Sequence, residues 1–344
     1  VNAGLVGIGS LAVGDDNIIS SGNGGLVEAG VAGLVSVGIG DGNEVRASNG
    51  GVVQAGLIGM GGLAYGDDSS VALYNAPPGS VDAGLAGMVG VAIGDRDVVE
   101  VTNEGGVTAG LIGIGGLVSG DDGSVTVENR ATGSVDAGLA GMIGVAIGDG
   151  NAVSATNEGE VFAGLVGVGG LVVGNDSSVT VLNDGTGTVE ADLAGLLGVA
   201  VGDDNGVSVT NNGDVFAGLV GIGGLAIGDN NTVDVANAGV TEATGAAVVG
   251  VGIGDLNSVS ASNSGVVDAA VAGAVGLGYG VDNEVTVANS STGTVDGGLV
   301  GLVGIGIGDA NTVTVTNDGD VTAALIGAGG LVSGDNGSVS VSNG

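Results

Sequence analysis

Short runs in which apolar and polar residues alternate strictly recur along this chain. In the run from Val179 to Asn183, Val179, Val181 and Asn183 point one way while Thr180 and Leu182 point the other. That is the period-two pattern of a half-buried strand. Before each such run lies a longer segment that is apolar at both parities. In one of these, Val81, Ala83, Leu85, Val89, Val91 and Ile93 form one face, and Gly84, Ala86, Met88, Gly90 and Ala92 the other. About five Gly per segment, each costing roughly 1 kcal/mol against Ala, disfavour a helix. Strand is the prediction, with a break into two at the central Gly residues.

The two segments and their turns make one unit, and the unit repeats. A Gly precedes each polar turn, at Gly14, Gly40, Gly66, Gly94, Gly120, Gly148, Gly174, Gly202, Gly228, Gly254, Gly280, Gly308 and Gly334, with spacings of 26 or 28 residues. Nine residues later stands an Asn without exception: Asn23, Asn49, Asn75, Asn103, Asn129, Asn157, Asn183, Asn211, Asn237, Asn263, Asn289, Asn317 and Asn343. Val opens the unit thirteen residues before the Gly, as at Val1, Val27, Val53, Val81, Val107, Val135 and Val161. The longer spacings all arise in one turn, where Asn-Ala-Pro-Pro-Gly-Ser at 75–80 replaces a shorter link such as Asn103 to Gly106. A regular period of this length with insertions confined to one turn is the mark of stacked supersecondary units. The expected fold is all-β, a β-solenoid of thirteen coils of 26–28 residues, forming a single repeat domain over residues 1–344.

Stacking coils about 4.8 Å apart places equivalent residues in columns. The Asn column fits an inward ladder in which each amide bonds the next. Its alternative is that Asn serves a left-handed turn conformation. A second periodicity spans pairs of coils. Even units carry an acid after the opening Val, at Glu28, Asp82, Asp136, Glu190, Glu242 and Asp296, whereas odd units have Asn2, Gln54, Thr108, Phe162, Phe216 and Thr322 there, with Asp268 the exception. Like charges are thus held about two strand spacings apart, close to a Debye length. The residue two after the turn Gly is Asp or Asn in every odd unit, from Asp16 and Asp68 to Asn336.

Composition removes most catalytic chemistry. The 344 residues include 80 Gly, three basic residues against 38 acidic ones, and no His or Cys. There is no thiolate nucleophile, imidazole base or thiolate or imidazole metal site, and no disulfide scaffold. A net charge of −35 makes nucleic acid and anionic membranes poor partners. Yet 44% of residues are hydrophobic, so the chain is not expected to be disordered. Uncharged apolar pieces such as Ala163 to Gly174 fall short of the ~20 residues of a membrane-spanning helix. No secretion or lipidation signal is visible, and Val1 already lies inside the first repeat, as in a processed or excised chain.

The run Gly202-Asp203-Asp204-Asn205-Gly206-Val207-Ser208-Val209-Thr210-Asn211 resembles half of a curlin repeat, with Val for Ala and Asn for the ladder Gln. The same spacing recurs at Gly228, Asn231, Val233 and Asn237 and at Gly308, Asn311, Val313 and Asn317. The runs from Val209 to Val215 and from Val315 to Val321 resemble the β-helical passenger repeats of autotransporters and filamentous haemagglutinins. These resemblances imply a bacterial extracellular or cell-surface β-solenoid with amyloid-like or adhesive assembly.

Candidate chemistry concentrates in the turn after the marker Gly. Asp follows it at Asp15, Asp41, Asp67, Asp95, Asp121, Asp149, Asp203, Asp229, Asp255, Asp309 and Asp335, with Asn175 and Val281 as exceptions. Stacked carboxylates either remain solvated, keeping a sticky fibre dispersed, or share Ca²⁺, which takes several oxygen ligands. Near-identical turns single out no carboxylate pair for glycoside hydrolysis. Gly-rich strings such as 110–116 recur in every coil and open no helix, so they read as close packing rather than a phosphate loop. The expected function is structural and not enzymatic: a subunit of an extracellular fibre or matrix that polymerises with itself, head to tail, with possible lateral contacts and no nucleic-acid partner. The alternatives are a shaft segment of a surface adhesin and an ice-binding solenoid, for which only Thr312, Thr314 and Thr316 approach a flat array.

Overall fold

The computed structural model describes residues Val1–Gly344 and is an all-β parallel solenoid of thirteen coils, with three strands in every coil and no helix. The chain divides into two compact units, Val1–Val172 and Val173–Gly344. Each unit is built from the same coil.

In the first unit a coil runs through Ser80–Ala83, Ala86–Ile93 and Val98–Asn103. Each strand pairs in parallel with its counterparts one coil away, giving a sheet of short strands, a sheet of long strands and a sheet of Asn-ended strands. Register is set by like residues: Val81 lies opposite Val53 and Val107, Met88 opposite Met60 and Ile114, and Asn103 opposite Asn75 and Asn129. A slip by one residue would turn every buried side chain outward. The core is the coil interior, filled by Val81 and Ala83, Met88 and Ala92, and Val99 and Val101, all buried.

The long apolar segment does break in two, but its two halves do not share a face. Val81 and Ala83 point inward, whereas Val89, Val91 and Ile93 point outward and Met88, Gly90 and Ala92 fill the core. The corner at Gly84 and Leu85 resets the parity. Both Leu85 and Ala86 donate their N–H groups to the Leu57 carbonyl, at 3.0 and 2.9 Å, so the corner takes up a residue without advancing the ladder. Just after it, Gly59 of the preceding coil shows why glycine recurs here. A methyl group on Gly59 would stand 2.1 Å from Val81 Cγ1 and 2.6 Å from the Gly87 carbonyl oxygen. The Gly-rich strings are thus close packing, as their repetition suggested.

The second unit repeats the arrangement in coils such as Thr188–Ala191, Ala194–Val201 and Gly206–Asn211. Val189 faces Val215, Leu196 faces Ile222, and Asn211 lies between Asn183 and Asn237. One opening Val is replaced by Thr241, which is fully buried and places its hydroxyl 2.9 Å from Asn237 Oδ1 as donor and 3.1 Å from Asn211 Nδ2 as acceptor.

Candidate functional site

The Asn residues at the ends of the third strands face inward and form a ladder. In the first unit Nδ2 of Asn23, Asn49, Asn75 and Asn103 donates to Oδ1 of Asn49, Asn75, Asn103 and Asn129 at 2.8–2.9 Å. In the second, the rungs from Asn183 to Asn343 close at 2.7–3.0 Å. Each amide also braces its own turn: Asn49 Nδ2 donates to the Gly51 carbonyl at 3.0 Å while its Oδ1 accepts from Gly51 N–H at 3.1 Å. No ladder Asn has a positive φ. The left-handed position lies elsewhere, two residues after the marker Gly, where Asp16, Asp68, Asp122, Asp176, Asn230, Asp282 and Asn336 have φ of 54–59°. Asp and Asn tolerate that conformation better than other side chains. The even coils adopt the same conformation there, at Gly42, Arg96, Gly150, Asp204, Leu256 and Ala310, so the turn geometry is common to all coils and does not by itself set the odd-coil preference.

A second buried column stands three residues after the marker Gly, in Asn43, Ser69, Asp97, Asn151, Ser177, Asn205, Asn231, Asn257, Asn283 and Asn311. Its bonding differs from the first ladder, because the side-chain oxygen takes a backbone N–H one coil away. Asn43 Oδ1 accepts from Asn17 N–H at 3.0 Å, and Asn257 Oδ1 accepts from Asn231 N–H at 2.8 Å. The Nδ2 atoms of Asn17, Asn43 and Asn311 donate to the marker carbonyls of Gly14, Gly40 and Gly308. The Asn at this spacing was visible in the sequence at Asn205, Asn231 and Asn311, but substitution by Ser, Gly and Asp in other coils hid the column.

The Asp residues after the marker Gly form a third, exposed column. Asp15 Oδ1 accepts from Asp41 N–H, and the pattern continues through Asp67, Asp95, Asp121 and Asp149 at 2.9–3.0 Å. In the second unit Asn175, Asp203, Asp229 and Asp255 accept in the same way at 2.8 Å, as does Asp309 from Asp335 N–H. Val281 lacks the oxygen and interrupts the column. The turn carbonyls are used as well, since Asp41 and Asp67 accept from Asp16 and Gly42 N–H at 2.9 Å. An N–H wedged between successive carboxylates offsets part of their repulsion. These oxygens are the ones that a Ca²⁺ ion would recruit. No three His, Cys, Asp or Glu side chains in the protein are grouped to hold a metal ion.

The acids that alternate on the outer side of the short strands are spaced as their sequence suggests. Asp82 has Gln54 and Thr108 for neighbours, while Glu242, Asp268 and Asp296 stand in adjacent coils. All three arginines pair with acids. Arg96 forks onto Asp68 at 2.7 and 2.8 Å, Arg130 meets Glu104 at 2.7 Å and Glu128 at 3.3 Å, and Arg46 meets Glu44. Their hydrogen bonds hold the Asp68 and Glu104 carboxyls below the usual range, and Glu104 in turn accepts from the Tyr74 hydroxyl and raises it. Asp97 behaves oppositely: burial, against a hydrogen bond from Ser69 N–H and beside Asp67, Asp68 and Asp95, pushes its carboxyl up to about 6.

Thr312, Thr314 and Thr316 do share one register, beside Ser338, Ser340 and Ser342. No helix of the protein is long and apolar enough to cross a membrane. No family model matches the sequence, and neither a curated protein nor a solved structure matches it.

Proposed function

We propose that the chain is a structural protein, a subunit of an extracellular or cell-surface fibre or matrix that grows by the same parallel pairing that joins its coils. The observation that carries this reading is the repeated joint. Coil meets coil in one register within each unit, Asn on Asn along the ladder and Val on Val at most rungs, with substitutions such as Thr241 between Val215 and Val267. A surface that already fits its own repeat is suited to the same contact between copies, head to tail, and a heterologous contact that does not close generates a filament. Binding or catalytic proteins concentrate unlike residues at one place. Here most buried polar groups stand in columns that run through the coils, with Ser21, Ser36 and Thr241 outside them. The resemblance to curlin and passenger repeats supports the same reading and the bacterial surface as its setting.

The test is sedimentation and electron microscopy of the isolated chain across a concentration series. Filaments that lengthen with concentration, with a ~4.8 Å repeat along their axis in fibre diffraction, are expected. A chain that stays monomeric at all concentrations overturns self-assembly and favours the adhesin-shaft reading, in which the stacked coils act as a spacer.

A further inference from the structure

The long strands turn one side to the core and the other to solvent, and in the Val1–Val172 unit the solvent side carries no charge. Its central row runs through Val37, Leu63, Val91, Leu117 and Val145 in register. Beside it Ile39, Tyr65, Ile93 and Ile147 are 39–57% exposed. The row on the other flank alternates large and absent side chains: Val35, Gly61, Val89, Gly115, Ile143. The face is therefore ridged, with notches at Gly61 and Gly115 between the ridges.

The coil does not itself require those two glycines. Neither has a positive φ. A methyl group on Gly61 would find its nearest neighbour, Ile58 Cγ2, at 3.6 Å, an ordinary contact, whereas one on the inward Gly62 would stand 2.4 Å from Val71 Cγ1. On Gly115 the nearest atom, Ile112 Cγ2, would lie at 3.4 Å. Glycine weakens a strand relative to Ala, and where packing does not demand it, it marks close approach by another group. We propose that this outer face docks the same face of a second copy of the chain, the ridges of one seated in the notches of the other.

Three features favour a second copy as occupant. The ridges and notches alternate every coil, so a relative shift of one coil, about 4.8 Å, makes the surface complementary to itself, as a two-fold contact requires. The protein carries a net charge of −35, and the outer sides of the other two sheets bear acids such as Asp82, Asp136, Glu44 and Glu100. Two like-charged copies meet without opposed carboxylates only through the long-strand face. Finally, five coils of eight-residue strands present about 600 Å² per copy, of the order of the ~800 Å² per partner in stable interfaces.

This contact is separate from end-to-end growth, because a joint between terminal coils does not bring two copies of Val91 together. The chain has no cysteine, so Val91→Cys reports face contact directly. With a short bismaleimide at micromolar protein, cross-linked dimers are expected at tenfold or greater yield over Thr126→Cys on the outer side of the third sheet. Filling both notches in the Val91→Cys background, with Gly61→Val and Gly115→Val, should lower the yield at least tenfold while circular dichroism is unchanged. If that variant misfolds, Gly61→Ala with Gly115→Ala, or Val37→Lys alone, should give the same direction of loss. The filled variant is more apolar than the native chain. An unchanged or higher yield would reveal indiscriminate apolar adhesion and overturn the proposal. Equal cross-linking from Val91→Cys and Thr126→Cys, or phosphatidylcholine vesicles binding the uncross-linked monomer, would overturn it too.

Discussion

Asp97 Oδ1 accepts the N–H of Ser69 at 2.8 Å, while Asp97 Oδ2 is buried with no partner. In the Asn residues of the same column the corresponding atom is an amide nitrogen, which in Asn17, Asn43 and Asn311 donates to a marker carbonyl and in Asn231, Asn257 and Asn283 is buried without a partner. A carboxylate has nothing to donate there. Burial disfavours its charge, against the Ser69 hydrogen bond and with Asp67, Asp68 and Asp95 nearby, and so raises the Asp97 carboxyl to about 6 from the ordinary 3.8.

The consequence is a pH-dependent loss of stability. With the folded value above the unfolded one, Asp97 brings no penalty below pH ~4, a growing penalty as pH rises towards 6, and its full penalty above that. Asp97→Asn should therefore stabilise the protein at pH 7.5 by on the order of 2–3 kcal/mol and leave it unchanged near pH 3.5. Denaturant melts of both proteins at the two pH values check this; an equal gain at both would point to packing instead.

Asn103 is fully buried and bonds Asn129, Gly105 and its own turn amide. Asn103→Ala leaves Asn75 Nδ2 and the Gly105 N–H short of a partner and should cost about 1–3 kcal/mol. Asn103→Asp is the sharper comparison, because it keeps the acceptor but brings a buried charge. Chemical denaturation should rank the native chain above both variants at pH 7.

Leu256 and Ala310 occupy the left-handed turn position at φ of 59° and 56°, where the other coils have Asp, Asn or Gly, apart from Arg96. Side chains without a local hydrogen bond cost about 1–2 kcal/mol there. Leu256→Gly and Ala310→Gly should each stabilise the fold, by about 1 kcal/mol, against the usual expectation for glycine in a sheet protein. Thermal unfolding of the single and double variants measures it.

The exposed Asp column predicts a generic response to ions. Because its Oδ1 atoms and neighbouring carbonyls already accept backbone amides, CaCl₂ should raise Tm no more than MgCl₂ at equal ionic strength, and NaCl should raise it by screening. Calorimetric titration showing a saturable Ca²⁺ site would contradict this.

The register of the fold was legible in the sequence because each coil repeats the same test of polarity. Thirteen Asn at one place, Val at fixed offsets and insertions confined to one turn leave a solenoid as the arrangement that brings like residues together. Period-two alternation is local, so the inward direction of Val179, Val181 and Asn183 could be read from five residues. Direction could not be read where both parities are apolar. In residues 81–93 composition permits either side to be the core, and only the corner at Gly84 and Leu85, with its two amides on one carbonyl, decides that Val81 faces inward and Val89 outward. The buried column through Asn43, Ser69 and Asp97 was hidden for a different reason. Its acceptors serve the backbone, a demand that Asn, Ser and Asp can all meet, so no single residue type marks it. The notches at Gly61 and Gly115 look like every other glycine in the chain. What distinguishes them is that a methyl group would first meet a flanking side chain on the outer side of a sheet, Ile58 at 3.6 Å and Ile112 at 3.4 Å, a relationship that exists only once the coils are stacked.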